Sequence, residues 1–179
     1  MNKLKVAVIG GGQFSASFIH LFQAHPMVEE VGLVEPNDDR RASTASKFGI
    51  KQSFNSLEQL WGSDFNAVAI FTPRWTHAQI ALEALQNGRH VYTAVPMGIT
   101  QEEVTQLVDV ASKTKLTYFM AETSFYYPAV IFSRQKFASG ELGSFVYGEG
   151  EYLHDMSHGF TDAFAANGGD EWKATASFP

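Results

Sequence analysis

Along the first 120 or so positions, short apolar runs alternate with amphipathic stretches, and that alternation predicts strands and helices in turn. Residues 4–9 (Leu-Lys-Val-Ala-Val-Ile) run straight into Gly10-Gly11-Gly12 and then into a helix beginning near Phe14. A second strand is expected over Val28–Glu35, then a helix over Asp38–Phe48 closed by Gly49. Phe65–Phe71 (Phe-Asn-Ala-Val-Ala-Ile-Phe) is an apolar run of the kind buried on both faces of a parallel sheet. Helix Thr76–Asn87 follows, with Gly88 just past its end. His90–Val95 reads as the next strand, stopped by Pro96. Thr100 and Glu103 have capping-box spacing for a helix over Gln101–Lys113, and Leu116–Ala121 is expected as the sixth strand. Short strands alternating with helices in this way predict an α/β fold with a doubly wound parallel sheet.

The character changes after Ser124. Phe125-Tyr126-Tyr127-Pro128 opens a helix to about Ser139, punctuated by Gly140 and Gly143. Ser144–Asp155 reads as a long strand that needs partners for its backbone groups, and residues 156–179 offer no second strand. The expected organisation is a nucleotide-binding domain over 1–123 and the beginning of an incomplete second domain over 124–179. On this reading the chain is the N-terminal piece of a longer protein.

The most informative chemistry is the first turn. Glycines between a first strand and a first helix form the Rossmann dinucleotide cradle. Gly10 permits the tight turn, and Gly12 lacks the Cβ that would hold a pyrophosphate away. The helix through Gln13 and Phe14 aims its unpaired N–H groups and positive dipole end at the phosphates. Ser15 and Ala16 take the third small position. Glu35, ending the second strand, has the place of the carboxylate that reaches the ribose hydroxyls of NAD and repels the extra phosphate of NADP. Arg40 and Arg41 lie nearby and invite the opposite reading. They also fit the solvated first turn of a helix capped by Asp38 or Asp39, so NAD is expected over NADP.

Composition narrows the rest. Of the 179 residues, 45% are hydrophobic and 18% charged, as in a globular protein with a substantial core. A net charge of -6 without a basic run speaks against nucleic acid. No apolar stretch approaches the roughly 18 residues that span a bilayer. The strand beginning at Leu4 leaves no room for a signal peptide, and the lack of cysteine suits the cytoplasm.

Several segments together resemble the Gfo/Idh/MocA oxidoreductases, over about residues 4–155. They are the strand–turn at 4–15, Val34-Glu35-Pro36, Phe71-Thr72-Pro73 with His77 beyond it, and Gly88-Arg89-His90-Val91-Tyr92. Tyr127-Pro128 and Gly140-Glu141-Leu142-Gly143 continue the series. The resemblance implies a Rossmann domain followed by an α/β domain whose sheet carries substrate and often the subunit interface. It implies NAD(P)-linked oxidation or reduction of sugars, inositols and related polyols, and a homo-oligomer joined through the second domain. Phe71, Thr72, Pro73, His77, Ala94, Val95 and Pro96 are then expected along the cofactor. The family's Glu-Lys-Pro falls on Ala94-Val95-Pro96, so the lysine that handles the reacting hydroxyl's proton is replaced by a side chain with no titratable group. Phe125 stands near where many members carry arginine.

Other residues must therefore move the proton. Glu122 follows the sixth strand, and His154 with Asp155 supplies the Asp and His types that members place beside the nicotinamide. On a strand Tyr152 and His154 would share one face. Glu149, Glu151, His154, Asp155 and His158 also have ligand chemistry for zinc, manganese or iron, but no tight motif spacing, and no metal is expected. Thr72 and Trp75 are placed to meet ribose and nicotinamide; the alternative makes Thr76 a helix cap and Trp75 a packed loop residue. Besides the dehydrogenase, two readings stay open: a nucleotide sensor without chemistry, and a redox-neutral lyase or glycosidase that uses NAD transiently.

Overall fold

The computed structural model describes residues 3–151, 153 and 155. Six strands form one parallel sheet: β1 (Leu4–Ile9), β2 (Val28–Val34), β3 (Ser53–Phe54), β4 (Ala67–Ile70), β5 (His90–Ala94) and β6 (Tyr118–Ala121), in the order β3-β2-β1-β4-β5-β6. The helices are α1 (Gln13–Ala24), α2 (Asp38–Phe48), α3 (Leu57–Trp61), α4 (His77–Gln86), α5 (Gln101–Ser112) and α6 (Pro128–Ala138). This is the expected doubly wound Rossmann sheet, with a turn of 3₁₀ helix at Arg74–Thr76 and another at Ser124–Tyr126.

Alternation along β1 explains the two-sided core. Ala7 and Ile9 point into one layer with Phe65, Val68, Ile70, Val91 and Leu107, packed by α3, α4 and α5. Val6 and Val8 point into the other with Ile19, Leu33, Ala69 and Phe71, where α1 and α2 contribute Phe18, Phe22, Ala45 and Phe48. Neither layer leaves room for a polar stripe, which is why the strands read as continuous apolar runs. Gly32 admits the fully buried Phe65: a Cβ there would lie 2.5 Å from the ring's Cζ.

Three elements differ from the sequence reading. The cap of α2 is Asn37, whose side chain accepts from the Arg40 N–H, rather than Asp38 or Asp39. Thr76 holds the N-cap position of α4 without a side-chain cap; its hydroxyl turns back to the Thr72 hydroxyl and the Pro73 carbonyl, both at 2.7 Å. The strand expected over Ser144–Asp155 is absent among the described residues, which carry no regular secondary structure from Ser144 to Glu151. Phe145 and Tyr147 alternate as a strand would, yet both are exposed and no neighbouring strand offers them a ladder. The capping box of Thr100 and Glu103 forms as expected.

Candidate functional site

β1, β2, β4 and β5 all end at one edge, and β1 lies between β2 and β4, where successive crossovers leave in opposite directions. A crevice at such a switch point is where doubly wound sheets bind ligands. The glycine turn opens onto it. Gly10 has φ +99°, and a Cβ on it would sit 3.0 Å from the Phe71 carbonyl oxygen, so this position is closed to side chains by conformation and by space. Its N–H donates to the Val34 carbonyl, tying the turn to β2. Gly12 is the N-cap of α1 at φ −75°, no side chain caps the helix, and no acid stands in its first turn. The helix thus presents uncapped N–H groups beside a glycine, the arrangement that receives phosphate. Gln13 and Phe14 are exposed at that mouth, and Ser15 is buried with its hydroxyl on the Gly12 carbonyl.

Glu35 is 4% exposed. Its Oε2 accepts from the Gly11 N–H and its Oε1 from the Asn37 N–H, both at 2.9 Å. The Arg40 guanidinium lies 3.7 Å from Oε2. These partners compensate the burial of a carboxylate and lock the glycine turn to the end of β2. Thr44 completes the lock by donating to the Gly11 carbonyl. Each carboxylate oxygen keeps a second lone pair for a ribose hydroxyl. Arg41 turns away, donating to the Glu35 carbonyl and pairing with Asp38. Thr44 and Asn37 were not singled out from the sequence. Asn37 stood in a run of three capping residue types, whereas nothing local marked Thr44.

On the other side of the crevice, Phe71 is buried among aromatic rings, stacked on Phe18 at 4.9 Å between centroids and edge-on to Phe14 at 5.8 Å. It forms the floor of the turn. Thr72 and Pro73 are half-buried, and the Thr72 and Thr76 hydroxyls lie 2.7 Å apart. His77 is turned inward, 2% exposed, with one ring nitrogen 2.7 Å from the Pro96 carbonyl and the other 2.8 Å from the Thr72 carbonyl. Ala94 is buried, Val95 is 45% exposed, and the Val95–Pro96 peptide is cis. Glu122 is half-buried and accepts from the Ser124 N–H, the loop-capping alternative to a catalytic role. Asp155 is exposed; His154, Tyr152 and His158 lie outside the described residues. Among the described residues no three His, Cys, Asp or Glu side chains converge as metal ligands. An apolar groove of about 400 Å³ lined by Phe22, Tyr92 and Phe119, with His90 and Thr117 at its rim, lies toward the opposite edge of the sheet and holds none of the candidate site residues.

An uncapped glycine turn at the switch point, with a carboxylate ending β2, defines a dinucleotide-binding Rossmann domain. The chain belongs to the GFO_IDH_MocA family, described as an oxidoreductase family with an NAD-binding Rossmann fold, which matches residues 4–122. Over 167 residues it is 28% identical to levoglucosan dehydrogenase of Pseudarthrobacter phenanthrenivorans, covering 88% of this chain and 43% of that protein. It is 31% identical over 165 residues to a glycosyl hydrolase family 109 protein of Saccharopolyspora erythraea, covering 86% and 36%. Scyllo-inositol dehydrogenase of Lactobacillus casei, solved with bound NAD(H) and scyllo-inositol, has the same fold (TM-score 0.73, 18% identity, 80% of this chain and 43% of that one). So does the WlbA dehydrogenase of Bordetella pertussis, solved with NADH and UDP-GlcNAcA (TM-score 0.73, 20% identity, 78% and 42%). The chain thus spans about two fifths of the length of these relatives.

Proposed function

We propose that this chain is the cofactor-binding part of an NAD-dependent oxidoreductase that moves hydride to or from a sugar, polyol or related hydroxy compound. The observation that carries the reading is the turn itself: a glycine that admits no Cβ, an uncapped helix N-terminus and a buried carboxylate hydrogen-bonded to Gly11. Bound cofactor would supply the hydride chemistry. The Gly12 region and the first N–H groups of α1 would hold its phosphates, and Glu35 its adenine ribose. A 2′-phosphate would bring negative charge toward that carboxylate, so NAD is favoured over NADP.

Val95 has no proton to give, so proton transfer falls to Glu122, His154 or Asp155. We divide the chain at 123/124, with the later residues belonging to a substrate domain through which copies of the protein associate. The exposed Phe132, Phe137, Phe145 and Tyr147 support that assignment. A cytoplasmic setting fits a chain without cysteine. No described helix is long and apolar enough to cross a membrane.

Calorimetric titration tests the cofactor reading: NADH should bind about tenfold more tightly than NADPH, roughly 1.4 kcal/mol of discrimination. Gly12→Val should abolish both. Equal affinities overturn the role of Glu35, and unchanged binding by the variant overturns the cradle. The glycosyl hydrolase relative and the apolar Val95 favour a second reading, a redox-neutral glycosidase that borrows hydride and returns it. Net conversion of NAD to NADH by the full-length protein over a polyol and sugar panel separates the two.

A further inference from the structure

We propose that His77 is a positioning residue: it holds the exits of β4 and β5 at a fixed separation, and so shapes the part of the crevice that would take the nicotinamide end of the cofactor, without touching the cofactor. The inference rests on the dinucleotide reading above. The parallel ladder between β4 and β5 ends at the Ile70–Thr93 pair. Beyond it, Phe71-Thr72-Pro73 and Ala94-Val95-Pro96 continue with no ladder pairing between them. The His77 ring spans that gap from the first residue of α4, with Nδ1 at 2.7 Å from the Pro96 carbonyl and Nε2 at 2.8 Å from that of Thr72. Carbonyl oxygens only accept, so at least one of these contacts is a donated hydrogen bond in either tautomer. The ring is 2% exposed, on a helix that also buries Ala78 and Ala81.

Topology says what these two exits face. With the adenine ribose at Glu35 on β2 and the phosphates at the β1 turn, a dinucleotide continues across the switch point toward β4 and β5. The strap therefore lies under the nicotinamide half only. Thr72 and Val95 are the residues whose placement it fixes: the ring contacts the Thr72 carbonyl directly, and Val95, 45% exposed, precedes the Pro96 whose carbonyl it contacts.

The test compares NADH with ADP, which has the adenosine and both phosphates but no nicotinamide riboside. His77→Phe keeps a ring of similar volume in the core and removes both ring-nitrogen contacts, including the donated hydrogen bond. Its NADH dissociation constant should rise about tenfold while that of ADP stays within about twofold, and His77→Gln, which keeps one amide donor, should fall between. Thermal melts confirm that each variant is folded. Equal losses for both ligands, or no loss for either, overturn the positioning role; so do two variants that fail to fold, which would make the ring a stability element alone. A wild-type chain that binds neither ligand overturns the dinucleotide reading and this inference with it.

Discussion

Replacing Gly10 with alanine separates the structural part of the phosphate turn from its binding part. At φ +99° an L-residue meets the cost that keeps left-handed backbone to glycine, about 1–2 kcal/mol. The new Cβ would also press on the Phe71 carbonyl, 3.0 Å from its oxygen and 3.1 Å from its carbon. That carbonyl cannot retreat freely, because the Phe71 N–H is bonded to Ile9 at 2.9 Å and its ring is wedged against Phe18. Overpacking of this kind costs about 1–3 kcal/mol. Alanine stiffens the unfolded chain and returns about 0.4–1 kcal/mol, leaving a net loss of about 1–4.5 kcal/mol. In a chain of 179 residues that lowers the melting temperature by about 2–18 °C. The control is Gly12→Ala at φ −75°, a conformation open to every residue, whose stability cost stays below about 1 kcal/mol. Denaturant midpoints and melting curves for the two variants make the comparison. A Gly10→Ala protein within about 0.5 kcal/mol of wild type would refute the strain argument.

Two further perturbations follow from the core. Gly32→Ala places a Cβ 2.5 Å from the Phe65 ring, so it should cost about 1–3 kcal/mol or more, and adding Phe65→Leu should recover part of the loss; additive losses in denaturant unfolding would contradict the contact. Burial pushes the Tyr118 phenol above its usual range near 10, opposed by the neighbouring Thr93 hydroxyl, although the two groups form no hydrogen bond of acceptable geometry. The folded chain then keeps that proton where the unfolded chain releases it, so stability is full below pH 10 and declines above it. Tyr118→Phe should flatten the alkaline decline, and unfolding midpoints that fall as steeply as in wild type would refute the assignment.

The parts of the fold legible in the sequence are those that local chemistry decides. β1, its glycine turn and α1 follow one another within a single short stretch, and the capping box at Thr100 and Glu103 closes within four residues. β3 is two residues long and exists through its register with Leu33 and Val34, so no pattern in Ser53–Phe54 announces it. The site divides in the same way. Glu35 was readable from its place at the end of a strand, but its burial depends on Gly11, 24 residues earlier in the chain. That lock also decides the cap of α2: once Glu35 takes the Asn37 N–H, Asn37 starts the helix and both aspartates fall inside its first turn. His77 was readable as part of a motif and not as a strap, because one of its partners lies 19 residues later, on a different strand exit.

The exits of β4 and β5 also constrain how chemistry is shared along the chain. From Phe71 to Pro73 and from Ala94 to Pro96 the residues are Phe, Thr, Pro, Ala, Val and Pro, none of which titrates in the physiological range. A hydride acceptor or donor lying over these exits would meet hydroxyl, carbonyl and methyl groups, which orient a ring and exclude water but do not carry a proton through a reaction. Oxidation of an alcohol releases a proton as well as a hydride, so the second requirement falls on groups outside both exits. Glu122, one residue past β6, comes first along the chain among Glu122, His154 and Asp155, yet one of its oxygens is already engaged by the Ser124 N–H. On the proposed reading, cofactor binding falls to the first 121 residues and proton transfer to groups outside both exits. Val95, standing where the resemblance puts the family's lysine, fits the proposal that residues beyond the cradle move the proton.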